Sequence, residues 1–337
     1  MGRAPGMVDV AHVAGVSHVT VSRVLNGHPS VRPETRARVE AAIAQLGYRR
    51  NTVARALKSR RSSTIGVVMA GSELYELPRV LLGIETAARG AGYDVNMASW
   101  QGGDAADLAE TVRRLTDQSV EGVAVIAARQ VAVDALSGVV TDVPMSVVMS
   151  GSVPNPRISF VELDQELGAR LAVRHLLDLG HRRIVHLAGN LDTFDASARV
   201  QGWRDELSTY PGLPQELLQG DFSAASGHRL TLELAHGPQG LPSAIFAGND
   251  LMALGVLAAL AQLGLSAPDD VSVVGFDDIA GADFFVPALT TVRQDFVTLG
   301  RMGIETLLST MKGEEPVRLQ IPPSLVARRS TAPPREG

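Results

Sequence analysis

Between residues 8 and 46, apolar side chains recur every three to four positions in three short runs. Val8, Val10, Ala11 and Ala14 fall on one face of a first helix. Gly15-Val16-Ser17 interrupts it, since Gly15 suits a turn residue with positive φ and Ser17 suits an N-cap. A second helix is predicted over 18–26, with Val21, Val24 and Leu25 facing inward and Asn26-Gly27 as its closing turn. A third runs from Pro33 to Leu46 and stops at Gly47, with Pro33 and Glu34 in its first turn and Val39, Ile43 and Leu46 as its inner stripe.

After Thr64 the pattern changes. Short apolar runs at 65–70, 94–99, 122–126, 145–149, 183–188, 243–247 and 271–275 predict strands. Amphipathic stretches at 78–91, 104–118, 164–179, 195–208, 223–236, 250–263 and 295–312 predict helices between them. Such alternation makes a parallel α/β architecture, and about 270 residues fit two lobes better than one.

Charge separates the same two parts. Residues 1–61 carry eleven Lys and Arg against three Asp and Glu, a net +8, whereas the remainder carries −13 and the whole chain −5. A basic head on an acidic body is the electrostatic footprint of a nucleic-acid-binding module attached to something else. Its short helix, three-residue turn and second helix have the spacing of a helix-turn-helix. The outward face of the second helix offers His18, Val19, Thr20, Ser22, Arg23 and Asn26, with Ser17 at its start. Arg23 can give two parallel donors to guanine O6 and N7, while Thr20 and Ser22 suit phosphates or base edges.

Several chemistries are set aside. There is no cysteine, which removes disulfides, thiolate nucleophiles and cysteine-ligated zinc. No Walker loop, dinucleotide fingerprint or Gly-x-Ser-x-Gly elbow follows a predicted strand, so no catalytic residues are assigned and no cofactor is expected. His175 and His181 are six apart and do not share a helix face as metal ligands would, so no metal is expected. No apolar run reaches eighteen residues and the start lacks a signal-peptide core, so a cytoplasmic, nucleoid-associated protein without membrane contact is expected.

The run from Val8 to Gly27 (VDVAHVAGVSHVTVSRVLNG), the stretch Val31–Val39 and Leu46-Gly47-Tyr48 resemble the N-terminal signature of the lactose/galactose-repressor family. Further matches lie at 174–184, 199–203, 248–255 and 273–278, and Leu289–Phe296 resembles the lactose-repressor branch. The resemblance implies a sequence-specific transcription regulator, a repressor controlled by a small-molecule effector, with a sugar favoured over a purine or other non-sugar ligand. It implies a homodimer on a pseudopalindromic double-stranded operator, with His18 and Val19 at the positions that vary with operator sequence. Residues 328–337 contain no leucine heptad, so a tetramer is not expected.

By the same resemblance the order is a helix-turn-helix domain at 1–49, a hinge at 50–63 and an effector-binding and dimerisation domain at 64–330. The last is a two-lobed periplasmic-binding-protein-like unit, lobe one 64–161 plus 294–322 and lobe two 162–290, followed by a tail at 331–337. The family's hinge folds on operator DNA and wedges a leucine into the minor groove, which Leu57 matches, with Asn51 and Ala54 nearby. Arg50 stands where many relatives have proline.

Ligands of open α/β sheets sit beyond the carboxyl ends of strands, where Asn249 and Asp277 follow predicted strands and Arg199 lies near the start of a helix. An amide, a carboxylate and a guanidinium together can satisfy several sugar hydroxyls. The resemblance adds Phe222 against the sugar, Tyr75 and Pro78 on the opposite lobe, and Gln294, with Trp100 as a further candidate. Asn249 could instead merely cap the helix that follows it, and Asp278 is read as structural. The apolar Ile126-Ala127-Ala128, where sugar binders often present polar groups, argues against lactose or galactose itself.

Overall fold

The computed structural model describes residues 5–48, 62–70, 77–100, 105–127, 130–137, 139, 141–148 and 158–335. It divides into two compact units, Met1–Ser62 and Ser63–Gly337.

The first unit is built on α1 (Met7–Ala14), α2 (His18–Leu25) and α3 (Pro33–Leu46). Gly15 turns the chain out of α1 at φ 62°, a left-handed conformation that costs a glycine little. Its N–H then closes back on His12 and that of Val16 on Ala11. Ser17 begins the next helix as anticipated, its Oγ accepting from the Thr20 N–H at 3.2 Å. Val10, Ala11, Ala14, Val21, Val24, Val39, Ala42 and Tyr48 form the small core. Val8, placed inside by its spacing, is 66% exposed, because at about 100° per residue it points away from the buried face formed by Val10, Ala11 and Ala14. Leu25, Ile43 and Leu46 are half-buried at the margin of that core.

The second unit holds two six-stranded sheets. Sheet one contains β1 (Thr64–Ala70), β2 (Asp94–Trp100), β3 (Gly122–Ala127), β4 (Met145–Val148), β5 (Ile158–Leu163) and β11 (Arg318–Ile321), in the order β11-β5-β4-β3-β1-β2, all parallel. Sheet two contains β6 (Ile184–Ala188), β7 (Leu217–Gln219), β8 (Ala244–Ala247), β9 (Ser272–Asp277), β10 (Thr290–Arg293) and β12 (Ser324–Val326), in the order β12-β10-β9-β8-β6-β7. Among the described residues only β12 pairs antiparallel.

The central strands are buried on both faces, which explains their continuous apolar runs. In β3, for example, Ala124 and Ile126 join one core layer while Val123, Val125 and Ala127 join the other. Helices α4 (Leu77–Gly90) and α11 (Phe296–Met311) cover one face of sheet one, and α5 (Ala105–Asp117) with α6 (Gln130–Ser137) the other. On sheet two, α7 (Gln165–Asp178) and α8 (Phe194–Ser208) cover one face, and α9 (Ala224–His236) with α10 (Asp250–Gln262) the other. A methyl group at Gly83 would run into the Val297 carbonyl, and one at Gly300 into that of Val80, so these reciprocal glycines set how closely α4 and α11 approach.

The chain passes between the sheets after β5, after β10 and between β11 and β12. Strand β5 continues two residues past 161, because Glu162 and Leu163 pair with Gln320 and Ile321. Sheet two likewise continues past residue 290 to Arg293, through pairing of β10 with β9 and β12. Thr331 and Ala332, set apart as tail by sequence, are anchored to this lobe: Thr331 bonds His175, and the Ala332 carbonyl accepts from Ser272 and bonds His181. No helix among the described residues is long and apolar enough to cross a membrane.

Candidate functional sites

On the first unit, Ser17, His18, Val19, Arg23 and Asn26 are exposed along α2, and Thr20 and Ser22 are half-buried. Ser17 Oγ lies 2.9 Å from Thr20 Oγ1, so capping orders these two hydroxyls together. The buried flank of the same helix is Val21 and Val24, which fixes its rotation and leaves the polar flank outward. Asn51, Ala54 and Leu57 lie outside the described residues, as does Tyr75.

On the second unit, four chain segments meet at the carboxyl end of sheet two. Arg199, 3% exposed, comes from α8; Asp277 ends β9; Gln294 follows β10; and Asn249 follows β8. Arg199 donates through Nε to Gln165 Oε1 at 2.9 Å, through one terminal nitrogen to the Gly248 carbonyl, and through the other to Asp277 Oδ1 at 3.4 Å. Its guanidinium lies 3.9 Å from the Phe276 ring centroid and 5.7 Å from that of Phe222. Burying a charge is costly unless it is paired and hydrogen-bonded. Here Asp277 and, at 3.9 Å, Asp195 supply the countercharge. Gln294 donates to Asp277 Oδ1 at 2.7 Å and accepts from Gln165 Nε2 at 2.8 Å.

Asn249 is both cap and potential ligand group. Its Oδ1 accepts from the Met252 N–H at 2.9 Å, starting α10, while Nδ2 donates to the Phe222 carbonyl at 3.1 Å. Phe222 has φ 70° and lies against Gly189, where a Cβ would strike the ring. Asp277 and Asp278 have φ 106° and 52°, and this double left-handed turn sends their carboxylates apart. Asp278 accepts from Arg293 at 2.6 Å and Arg328 at 2.7 Å. Burial pushes its pKa up, but these guanidiniums outweigh that and hold it below the ordinary value. Asp278 is therefore a structural tie between β9, β10 and the C-terminal segment, and the two aspartates do not form an acid–base pair.

Pro78 is exposed near the start of α4 in the first lobe. Trp100 ends β2, 5% exposed, and among the described residues its Nε1 has no hydrogen-bond partner. Three histidines, His175, His181 and His186, serve the core of the second lobe. His175 bonds Thr331, and His181 bonds Ser243 and Ala332, with burial lowering both pKa values. His186 stacks on Phe246 at 4.4 Å, and burial lowers its pKa to about 4. Asp250 is fully buried beneath the site and accepts from Thr291 Oγ1 at 2.5 Å and the Ile279 N–H at 2.9 Å. Burial raises its pKa to about 7 despite those bonds.

Sequence reasoning missed Gln165. Its only local signal is a polar residue directly after Asp164, the N-cap of α7, and nothing near it in sequence points to Arg199 or Gln294.

Comparison with known proteins bears on both units. Residues 6–51 match the model for bacterial regulatory proteins of the lacI family, and residues 173–331 match that for a periplasmic binding protein-like domain. The chain is 36% identical to the lactose operon repressor of Escherichia coli (strain K12) over 336 residues, covering 97% of this chain and 91% of that protein. It is 33% identical to the HTH-type transcriptional repressor PurR of Haemophilus influenzae (strain PittEE) over 331 residues, covering 96% and 97%. A crystal structure of the lac repressor dimer bound to operator and the anti-inducer ONPF superposes with a TM-score of 0.86 at 34% identity, covering 98% of this chain and 100% of that one. The complex of transcriptional regulator CelR with cellobiose gives a TM-score of 0.70 at 32% identity, covering 97% and 99%. With both units matched and relatives aligned over nearly the whole length, the chain belongs to the lacI family of bacterial regulatory proteins, which are DNA-binding transcription regulators and not enzymes.

Proposed function

We propose that this regulator is a cytoplasmic, nucleoid-associated repressor whose homodimer binds a pseudopalindromic operator and whose operator affinity is set by a sugar. The sugar would be held by Arg199, Asp277, Asn249, Gln294 and Phe222 from the second lobe, and by Tyr75 and Pro78 from the first. The observation that carries this reading is the buried Arg199 guanidinium, already matched by carboxylates at 3.4 Å and 3.9 Å. An anionic effector would add negative charge beside two aspartates, whereas a neutral polyhydroxy ligand can donate to Asp277 and accept from Arg199. The half-buried Phe222 ring adds the apolar surface that the hydrogen-bearing face of a pyranose covers. The CelR–cellobiose complex among similar structures agrees with a saccharide. A purine is the second reading, favoured by the same flat ring, on which a planar base can stack.

In this reading Ser17, His18, Val19, Thr20, Ser22, Arg23 and Asn26 contact the operator's major groove, and Asn51, Ala54 and Leu57 its minor groove. Two-fold proteins read two-fold sites. Phe284 and Val286, 83% and 91% exposed, supply an apolar surface for the second copy.

The test is an operator selected from random-sequence DNA, titrated with the purified protein in the presence of cellobiose, lactose, glucose or hypoxanthine. Operator affinity shifted by a sugar, and lost as a response in Asp277→Asn, is the expected result. A shift with hypoxanthine alone would move the assignment to the purine.

A further inference from the structure

The polar side chains at the carboxyl end of sheet two form a closed ring. Arg199 Nε donates to Gln165 Oε1 at 2.9 Å, Gln165 Nε2 to Gln294 Oε1 at 2.8 Å, and Gln294 Nε2 to Asp277 Oδ1 at 2.7 Å. Arg199 closes the circuit on the same Asp277 oxygen at 3.4 Å. Each amide uses its oxygen and one N–H within the ring, so the sense of donation is fixed. Turning either amide over would set donor against donor and acceptor against acceptor. Gln165 and Gln294 are 4% and 1% exposed, so bulk water offers little replacement for a lost bond.

The ring lies on the passages between lobes. Gln165 opens α7 immediately after β5 leaves sheet one. Gln294 follows β10, and its neighbour Asp295 caps α11 by accepting from the Thr298 N–H at 2.9 Å. α11 in turn packs against α4 and sheet one. Two of the three crossings, 129 residues apart at this bond, are thereby tied to each other and to the Arg199–Asp277 pair.

We propose that Gln165 is a positioning residue that carries the state of Arg199 and Asp277 to the crossings, and so sets how the two lobes lie when the pocket is filled. The proposal rests on the effector reading of that pocket. A hydroxyl taken up by Arg199 or Asp277 competes with ring bonds at those atoms. Because the circuit is closed, the displacement passes to Gln165 and Gln294, where a small backbone rotation moves a whole lobe.

The chain contains no cysteine, so Glu110→Cys on α5 and Arg229→Cys on α9, both exposed positions, give one unique labelling site per lobe. Spin labels there, diluted with unlabelled protein so that only pairs within a chain are read, report the lobe-to-lobe distance. Asp277→Asn serves as the disturbed pocket, with neither effector nor DNA present. It is expected to shift the mean distance or its width by a few ångström, and to add no further shift in a Gln165→Leu background. Equal shifts in both backgrounds would overturn the proposal, as would a Gln165→Leu distribution matching that of the labelled parent. Should Gln165→Leu fail to fold, Gln165→Asn, which keeps both amide functions but withdraws them by one methylene, takes its place with the same expected outcomes. Since no effector enters the measurement, an error in the effector class does not alter its result.

Discussion

Asp250 is held by two hydrogen bonds in a place that disfavours its charge, and the consequence is a pH dependence of known sign. Its pKa in the folded chain is about 7, against an ordinary 3.8. The native state therefore binds this proton more tightly than the unfolded chain, and stability falls as pH rises from about 4 towards 7. His186, whose pKa burial lowers to about 4, and His175 and His181, whose pKa values burial also lowers, give the opposite slope below their ordinary value of 6.5. The readout is thus a difference: urea unfolding of the native chain and of Asp250→Asn between pH 4 and 8 should diverge, with the native chain alone carrying the falling component. Parallel curves would show that Asp250 ionises normally. At the other unit, Arg23→Ala should cost about 1–3 kcal/mol of discrimination for the selected operator while leaving weak, salt-sensitive binding to any duplex. Normal operator preference in that variant would remove Arg23 from base recognition.

At the scale of elements, helix pairs are held by shape as much as by apolar area. Gly83 and Gly300 let α4 and α11 meet backbone to backbone, and neither neighbour can withdraw, because the opposing atoms are main-chain carbonyls. Gly83→Ala should therefore destabilise the second unit by about 1–3 kcal/mol, the usual penalty for forcing a methyl into a packed contact. Gly90→Ala, on the same helix with open space around it, should be far milder and serves as the control in thermal unfolding. A similar loss in both would show that the close approach is not its cause, since alanine for glycine raises helix propensity and lowers the entropy of the unfolded chain, both of which stabilise. The helix-turn-helix is built differently, by capping and by Gly15, so its stability should respond to Ser17→Ala by about 1 kcal/mol.

The proposed function couples operator binding by one unit to ligand binding by the other, and linkage requires both to bias the same arrangement. In the proposed homodimer that coupling becomes useful, since two recognition helices would reach two half-sites together. Phe284→Asp combined with Val286→Asp should convert a dimer into monomers in sedimentation velocity at micromolar concentration and weaken operator binding, while effector affinity persists. A dimer that survives both changes would place the interface elsewhere.

Much of this architecture was legible in local pattern. The helix-turn-helix, and all seven strands and seven helices assigned in the body, follow from periodicity, turn residues and caps, since each depends on interactions within a few residues of chain. Strands β5, β7, β10, β11 and β12 and helix α6 escaped that reading. The shortest, such as Leu217–Gln219 and Ser324–Val326, exist only because a partner strand from elsewhere satisfies their backbone groups. Arg199, Asn249 and Asp277 were recognisable as polar residues beyond strand ends, but their union was not. The divergence of Asp277 from Asp278 depends on two left-handed residues, and the role of Gln165 on a partner 129 positions away. Sequence determined the elements because helix and strand signals are local; only the tertiary structure decided the site, because its hydrogen bonds close between segments far apart along the chain.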